Sequence, residues 1–372
     1  MSFVKQNWLV LFSLVISIIG ISIFNINRDL AFKDLTMAWN IGHYAVNYTD
    51  FGFVKRGLIG SLYNLINGSF SQESLLLFQS LFILFLILIT HYFFSKLELK
   101  KSFIYILFIV SPATFLQFSS DLGRFDPILV SIFMLSVIYR SSPVLFVIFS
   151  IFGILTHEIY TFALLPSAFI LYLSERVKLV SLKEIIVESI KSNILYILIT
   201  LIFVVVLLGS YEPGYEQIIK VFSNSELPPA YVEYHTKGMT GWPLEIWTTP
   251  LLDSFIFTSQ KLTLSLSSIY MVFVYLFILI YFHLIGVNFK KPRYYLILLS
   301  SFPMFLLGTD WGRWLAFIYV SIFVIFIVTE RDKAGRISNK YLLLFSLYGP
   351  LGVGGSLSPL VSKAYKFIML FI

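Results

Sequence analysis

Apolar residues run through this chain in stretches too long and too many for a water-soluble fold. They lie near 8–24, 75–94, 103–119, 127–139, 143–156, 159–173, 193–209, 264–286, 294–308, 314–329 and 341–357, and most of the charge is confined to the connections. A helix needs about twenty such residues to cross ~30 Å of hydrocarbon, so the pattern predicts an all-α polytopic membrane protein with about eleven transmembrane helices. One integral membrane domain over 1–372 is expected. The composition agrees: 58% of residues are hydrophobic and 13% charged, whereas about 25% charge is usual in soluble domains. The first run has no small-residue cleavage pattern and reads as a span, not a removed signal.

Placing the N-terminus in the cytoplasm assigns sixteen of the 27 Lys and Arg to cytoplasmic connections and nine to the opposite side. The positive-inside rule favours that orientation. The net charge of +7 is thereby a matter of topology and implies no nucleic-acid partner, since no solvated basic segment with interleaved aromatics is present. Cysteine is absent, which excludes disulfides, thiolate nucleophiles and Cys-based metal sites. Fourteen of the twenty acids fall on the outer side. Acids contribute little to orientation, so this excess points to chemistry on that face.

Two outer segments are long. Residues 25–74 contain amphipathic pieces around 33–44 and 56–66 that read as interfacial helices; residues 210–263 carry Pro213, Pro228, Pro229, Pro243 and Pro250 and suit a lid. The spans 127–139 and 143–156 are short. Either their helices extend into the flanking polar motifs, at outer-leaflet depth in a water-filled cavity, or the bilayer thins there. The last apolar run is interrupted by Gly349 and Pro350, so the eleventh span is either complete or re-entrant.

Five polar clusters interrupt the hydrocarbon, and the threading puts all of them outside. Charges at span ends are costly and point to a site when they collect on one face. The first holds Asp50, Lys55, Arg56 and Gly57; if Gly57 begins a helix, its free N–H groups and the two cations would suit a pyrophosphate, with headgroup snorkelling as the alternative. The second holds Asp121, Gly123, Arg124 and Asp126. Its two carboxylates converge only if Gly123 and Pro127 break the helix, and the competing role is an Asp–Arg pair within a tight turn. The third is His157 with Glu158, suited to proton transfer or phosphate contact, or else a hydrogen-bonded pair inside the bundle. No second His lies at a zinc-binding offset, so no dedicated metal site is expected. Tyr211 and Glu212 form the fourth and read as a turn. The fifth holds Asp310, Trp311 and Arg313, with Trp311 and Trp314 either stacking on sugar rings or belonging to an interfacial belt. Asp310 and Arg313 either bind substrate or pair across to Asp121 or Asp126. His43, His91, His235 and His283 receive no role.

Together these features resemble the membrane glycosyltransferases of the GT-C superfamily, in which the first outer loop carries interfacial helices and an essential acid and the second outer loop contributes another acidic motif. Those positions hold Asp29, Asp34 or Asp50, and Asp121 with Asp126. The acids of the second loop are five apart, with no plain Asp-X-Asp, so whether a divalent metal takes part stays open and the cofactor is unknown. The 39 Phe and 22 Tyr and the large loop in the second half also resemble bacterial O-antigen and capsule polymerases. Their outer-loop Arg residues have no counterpart here, where 210–263 contains only Lys220, Lys237 and Lys261.

The resemblance implies a bacterial inner-membrane enzyme that uses undecaprenyl-linked sugars on the outer face and joins lipid-linked repeat units. Its partners would be lipid-linked glycan, membrane lipids and other proteins of polysaccharide assembly. In that scheme Asp50, Asp34, Asp121 or Asp126 would deprotonate the acceptor. Lys55, Arg56, Arg124, His157, Glu158, Asp310, Trp311 and Arg313 would hold the substrate. A transferase decorating a glycan and a flippase of lipid-linked sugars are the alternatives.

Overall fold

The computed structural model describes residues 2–26, 38–67, 71–177, 181–208, 220–227, 229–233, 251–261 and 266–352. Among them the chain is helical, with no strand beyond a single bridge between Ser71 and Glu226. A helix lies on each of the first ten apolar segments. Three helices are long and apolar enough to cross a membrane: Gln72–Lys96, Phe103–Ser120 and Trp311–Thr329. A fourth is gained if Leu182–Lys191 and Asn193–Val205, bent by 75° at their junction, form one span. Of 341–357 only 341–352 are described, and they do not begin as an α-helix; whether the eleventh span is complete or re-entrant falls outside the described residues. Lys340–Tyr348 is a 3-10 helix closed by Gly349 at φ 72°.

Helix boundaries follow local chemistry. Ser71 accepts from the Ser74 N–H at the start of Gln72–Lys96, and Ser142 caps Pro143–Thr156, where Pro143 occupies a position that needs no N–H. The third segment keeps membrane length as one stretch, Phe103–Ser120, but its α-helix is interrupted between Phe103–Val110 and Phe115–Ser120. Pro112 removes a donor there and disfavours helical geometry at Ser111, while the Thr114 hydroxyl donates to the Phe108 and Ser111 carbonyls.

Trp311–Thr329 is the axis of the molecule. It is buried from Trp311 through Ile327, as expected of a helix that is apolar all round. Pro292–Leu307, Leu266–Leu284, Ile159–Ala163 and Leu165–Ser174 pack around it, and Ser321 donates across to the Ala163 carbonyl at 2.9 Å. Its 19 residues give a length of about 28 Å at the helical rise, close to the hydrocarbon thickness of a bilayer. Charged residues collect at both of its ends, Asp310 and Arg313 at one and Glu330 at the other.

A second, smaller core holds the segment after the first helix. Tyr44, Tyr63, Phe78, Phe82 and Phe125 pack edge-to-face and stacked, fixing helices Ala38–Ala45 and Gly57–Asn67 against Gln72–Lys96. Gly60 makes this possible, because a Cβ there would lie 1.9 Å from the Val46 carbonyl oxygen. These are the pieces expected to be interfacial helices in the first outer loop.

Candidate functional site: a buried network of arginines and carboxylates

Four of the five polar clusters meet at one end of the bundle. Asp126, in the first turn of Asp126–Ile138, receives Arg313 through a two-pronged contact, Nε to Oδ2 at 2.7 Å and Nη2 to Oδ1 at 2.5 Å. The Arg313 Nη1 also donates to Asp310. Arg124 donates to Asp121 at 2.9 Å and stands 3.8 Å from Asp310. Asp310 thus links the second and fifth clusters, and both structural alternatives foreseen for these residues are present: the pair within the turn and the pair across to Asp126. Asp121 and Asp126 each pair with a different arginine, and both act electrostatically on Arg313. Gly123, at φ 102°, turns the chain between them, where an L side chain would be strained. The turn is pinned by the Tyr44 hydroxyl on the Gly123 carbonyl at 2.8 Å, and by Asn40, which donates to Asp121 at 2.8 Å and to the Leu122 carbonyl at 2.9 Å.

The first and third clusters meet in the same way. Arg56 engages both oxygens of Glu158, with Nε at 2.8 and 3.0 Å and Nη2 on Oε1. Arg56 directly precedes helix Gly57–Asn67, so that helix begins where expected. Its φ of 63° is left-handed, a conformation that costs a non-glycine residue about 1–3 kcal/mol and tends to mark functional positions. Lys55 is half-buried and, among the described residues, has no carboxylate within ion-pair distance. Burial lowers its pKa, Glu158 pulls the other way, and Arg56 adds to the lowering.

Asp310 and Glu158 are held in the charged form. Burial pushes Asp310 up, but Arg124 and Arg313 outweigh it and hold it at about 2. Burial likewise works against Glu158, and Arg56 overrides it, leaving that group well below its usual range. His157 moves oppositely to a paired histidine. Burial, with the repulsion of Arg56 added, takes it to about 4 despite Glu158. At neutral pH its ring is therefore uncharged, and the Ile159 N–H donating to Nδ1 at 3.2 Å places the proton on Nε2. Glu158 Oε2 lies 3.3 Å from Nδ1 and opposes the lowering of the His157 pKa without reversing it.

The network comprises Arg56, Arg124 and Arg313 against Asp121, Asp126, Glu158 and Asp310, with Lys55 balancing the fourth carboxylate. An anion entering it must draw on Lys55 or on a guanidinium loosely committed to its carboxylate. Arg124 is the loosest, since its second contact is the long one to Asp310.

Other expectations fare differently. Asp50 is exposed and paired with Asn47 at 2.7 Å, outside the ion-pair network. Asp34, Asp29 and Glu212 lie outside the described residues, as does most of 210–263. Both oxygens of Asp126 are taken by Arg313, so a base role for Asp126 requires that pair to open. Trp311 and Trp314 are buried, with Trp311 Nε1 on the Gly308 carbonyl at 3.1 Å and Trp314 against Phe305. Both indoles are packed within the protein, so stacking on a sugar would require them to be uncovered, and burial here agrees with neither an open platform nor an exposed belt. Among the described residues no three His or acidic side chains are grouped so as to hold a metal ion.

Two residues assigned no role belong to the site. His43 is buried edge-on to Phe125, and burial, then Arg124 and Arg56, drive its pKa well below the ordinary value. Asn40 lies three residues earlier on the same short helix and carries the Asp121 turn. The sequence marks them only as two polar residues three apart on a short amphipathic helix, Ala38–Ala45, with nothing to say that they face buried arginines. No protein-family model, curated protein or solved structure matches the chain.

Proposed function

We propose that this protein is a membrane glycosyltransferase that takes its sugar from a polyprenyl-linked donor on the extracytoplasmic face. The observation that carries the reading is the gathering of three guanidiniums from three separate segments, with Lys55 beside them, at one end of a bundle whose axial helix has bilayer length. Arginine matches phosphate oxygens with paired donors, and a low-dielectric site strengthens that contact as charge develops on a leaving group. In the transfer an acceptor hydroxyl would attack the anomeric carbon while the bond from that carbon to the phosphate oxygen breaks. The departing phosphate would be received by Arg124 and Lys55, with Arg56 and Arg313 behind them. Carboxylates held as low as Asp310 and Glu158 are weak bases. The acceptor proton therefore falls to an acid outside this pairing, with Asp50, Asp34 and Asp29 of the first outer loop as candidates.

The finer reading is a GT-C-like arrangement of about eleven crossing helices in a bacterial inner membrane, N-terminus inside, in which the shorter apolar helices also cross. Its activity would be the joining of undecaprenyl-linked repeat units into surface polysaccharide. Nucleotide sugars are cytoplasmic, so chemistry on the outer face needs a lipid carrier. The flippase alternative gains one observation, a polar cavity at the opposite end of the bundle lined in part by Arg140 and Arg293. Against it, the axial helix between the two ends is buried and apolar.

The test is the lipid-linked glycan profile of a strain lacking the protein. Accumulated single repeat units on the outer leaflet support polymerisation, and repeat units missing one sugar support decoration. Complete units trapped on the inner leaflet would overturn the transferase reading in favour of transport.

A further inference from the structure

The cavity at the far end of the axial helix has a volume of about 450 Å³ and is lined by Arg140, Lys291, Arg293, Glu175, Ser174 and Thr329 among others. Its charge is unbalanced. Glu330, buried beside it, accepts from Lys291 at 2.9 Å, Arg293 at 3.2 Å, Lys333 at 3.0 Å and the Tyr294 hydroxyl at 2.7 Å. Three cations thus share one carboxylate. Arg140 pairs with Glu175 at 2.9 Å and gives Nη1 to the Val137 carbonyl at 2.8 Å, so neither contact uses its Nη2. Four cations against two acids leave an excess of two positive charges. The Nε of Arg293, moreover, is buried with no hydrogen-bond partner, and a buried donor left unmade is costly unless something accepts from it.

One wall shows what reaches the cavity. Helix Leu182–Lys191, started by a capping box between Ser181 and Glu184, turns Ile185 inward to line it. The helix leaves Leu182, Ile186, Val187 and Ile190 exposed, and the chain bends 75° into the apolar helix that follows. An amphipathic helix with bare apolar residues beside a bend into a crossing helix has the form of one lying in the membrane interface.

We infer that this cavity is a binding site for a phosphate-bearing ligand, held by the guanidiniums of Arg140 and Arg293 and entering beside the 182–191 helix. Basic pockets between membrane helices take anionic headgroups in this manner. The same chemistry would accept a soluble phosphate, and the two sources are separable. The inference does not rest on the glycosyltransferase reading, because it concerns the opposite end of the molecule and is tested by binding alone.

The experiment uses the purified full chain in detergent. Retention of phosphatidylglycerol and of phosphatidylcholine is measured by native mass spectrometry, and thermal unfolding is followed with and without inorganic phosphate. Arg293→Gln and Arg140→Gln are compared with Lys340→Gln, an exposed control at the same end. A lipid headgroup predicts about fivefold preferential retention of phosphatidylglycerol by the parent and the control, lost in both arginine variants. A soluble source predicts no lipid preference but a phosphate-dependent rise in Tm in the parent that the variants lack. Should Arg293→Gln fail to fold because Glu330 loses a partner, Arg140→Gln decides, since it leaves every Glu330 contact in place. Equal behaviour of parent and folded arginine variants in both measurements overturns the inference.

Discussion

Removing both charges of the Arg313–Asp126 pair separates a structural ion pair from a functional one. Each side chain is almost fully inaccessible, 3% and 5% exposed, and the guanidinium meets both carboxylate oxygens. Deleting one partner of such a pair strands the other, at a cost of about 3–5 kcal/mol. Asp126→Asn should come at the low end, about 3 kcal/mol, because the amide oxygen still accepts one N–H and Asp310 remains bonded to Arg313. Arg313→Met should cost more, leaving Asp126 with no cation and Asp310 with Arg124 alone at 3.8 Å. The double variant Asp126→Leu/Arg313→Met strands neither partner of the pair. Buried pairs exchanged for packed apolar residues are often neutral or stabilising, so it should unfold above Arg313→Met, the loss that remains being Asp310's contact with Arg313. The assay is unfolding in detergent, run beside turnover of a lipid-linked repeat unit followed by gel mobility. If Arg313 supports the phosphate from behind Arg124 and Lys55, the double variant folds but turns over poorly. A double variant that is stable and fully active would refute the assignment and reduce the pair to scaffolding.

Lysine should not replace Arg124, because a point charge cannot reproduce two directed donors; Arg124→Lys is expected to lower turnover nearly as far as Arg124→Ala at equal protein level, and full activity of the lysine variant would indicate a plain ion pair. Stability should fall with acidification. His157 is held near 4 in the fold against an ordinary value of 6.5, so its contribution is intact above about 6.5 and is lost as pH falls toward 4, with His43 acting in the same direction. Tm measured from pH 7.5 to 4.5 should drop in the parent and less steeply in His157→Gln, and a flat or rising parent profile contradicts this. Because the chain contains no cysteine, a Cys at exposed Thr49 should react with an impermeant maleimide on whole cells while one at exposed Ser338 should not; labelling of both from outside would break the shared-face argument. Gly60→Ala should destabilise by about 1–3 kcal/mol in the unfolding assay, since its Cβ meets backbone that cannot easily withdraw, and an unchanged Tm would mean the helix shifts freely.

The helices were legible because hydrophobicity is a local property: a run such as 143–156 carries its own ends, Ser142 and Pro143 at the start and His157 at the finish. The start at Gly57 and the turn at Gly123 were legible for the same reason. The break at Pro112 was not, since its flanks, Phe103–Val110 and Phe115–Ser120, are apolar on both sides and read as one stretch. The network was half legible. Asp121, Arg124, Asp310 and Arg313 drew attention as charges among hydrocarbon, yet the choice between Asp121 and Asp126 for Arg313 depends on packing between segments 187 residues apart. His43 and Asn40 escaped because a single polar residue on a short amphipathic helix looks the same whether it faces solvent or a buried arginine. The trapped indoles of Trp311 and Trp314 escaped because composition cannot tell a membrane belt from a packed core.

The amide of Gln117 accepts the Leu351 N–H at 2.6 Å and donates to the Gly352 carbonyl at 3.1 Å, and that same carbonyl lies where a side chain on Gly312 would project, 2.2 Å from an ideal Cβ. This has a bearing on the order of assembly during synthesis. Every charged partner in the network, from Arg56 to Arg313, is translated before residue 351. The first turn of the axial helix nevertheless lacks its backing, and the buried amide of Gln117 lacks both partners, until the chain has grown some forty residues past Gly312. A nascent chain halted between them would hold the ion pairs in reach of one another but an unsatisfied amide at the centre, worth about 1–3 kcal/mol per lost bond. Residues 351 and 352 therefore back the first turn of the axial helix and satisfy the Gln117 amide, so this end of the site is completed by contacts some forty residues further along the chain.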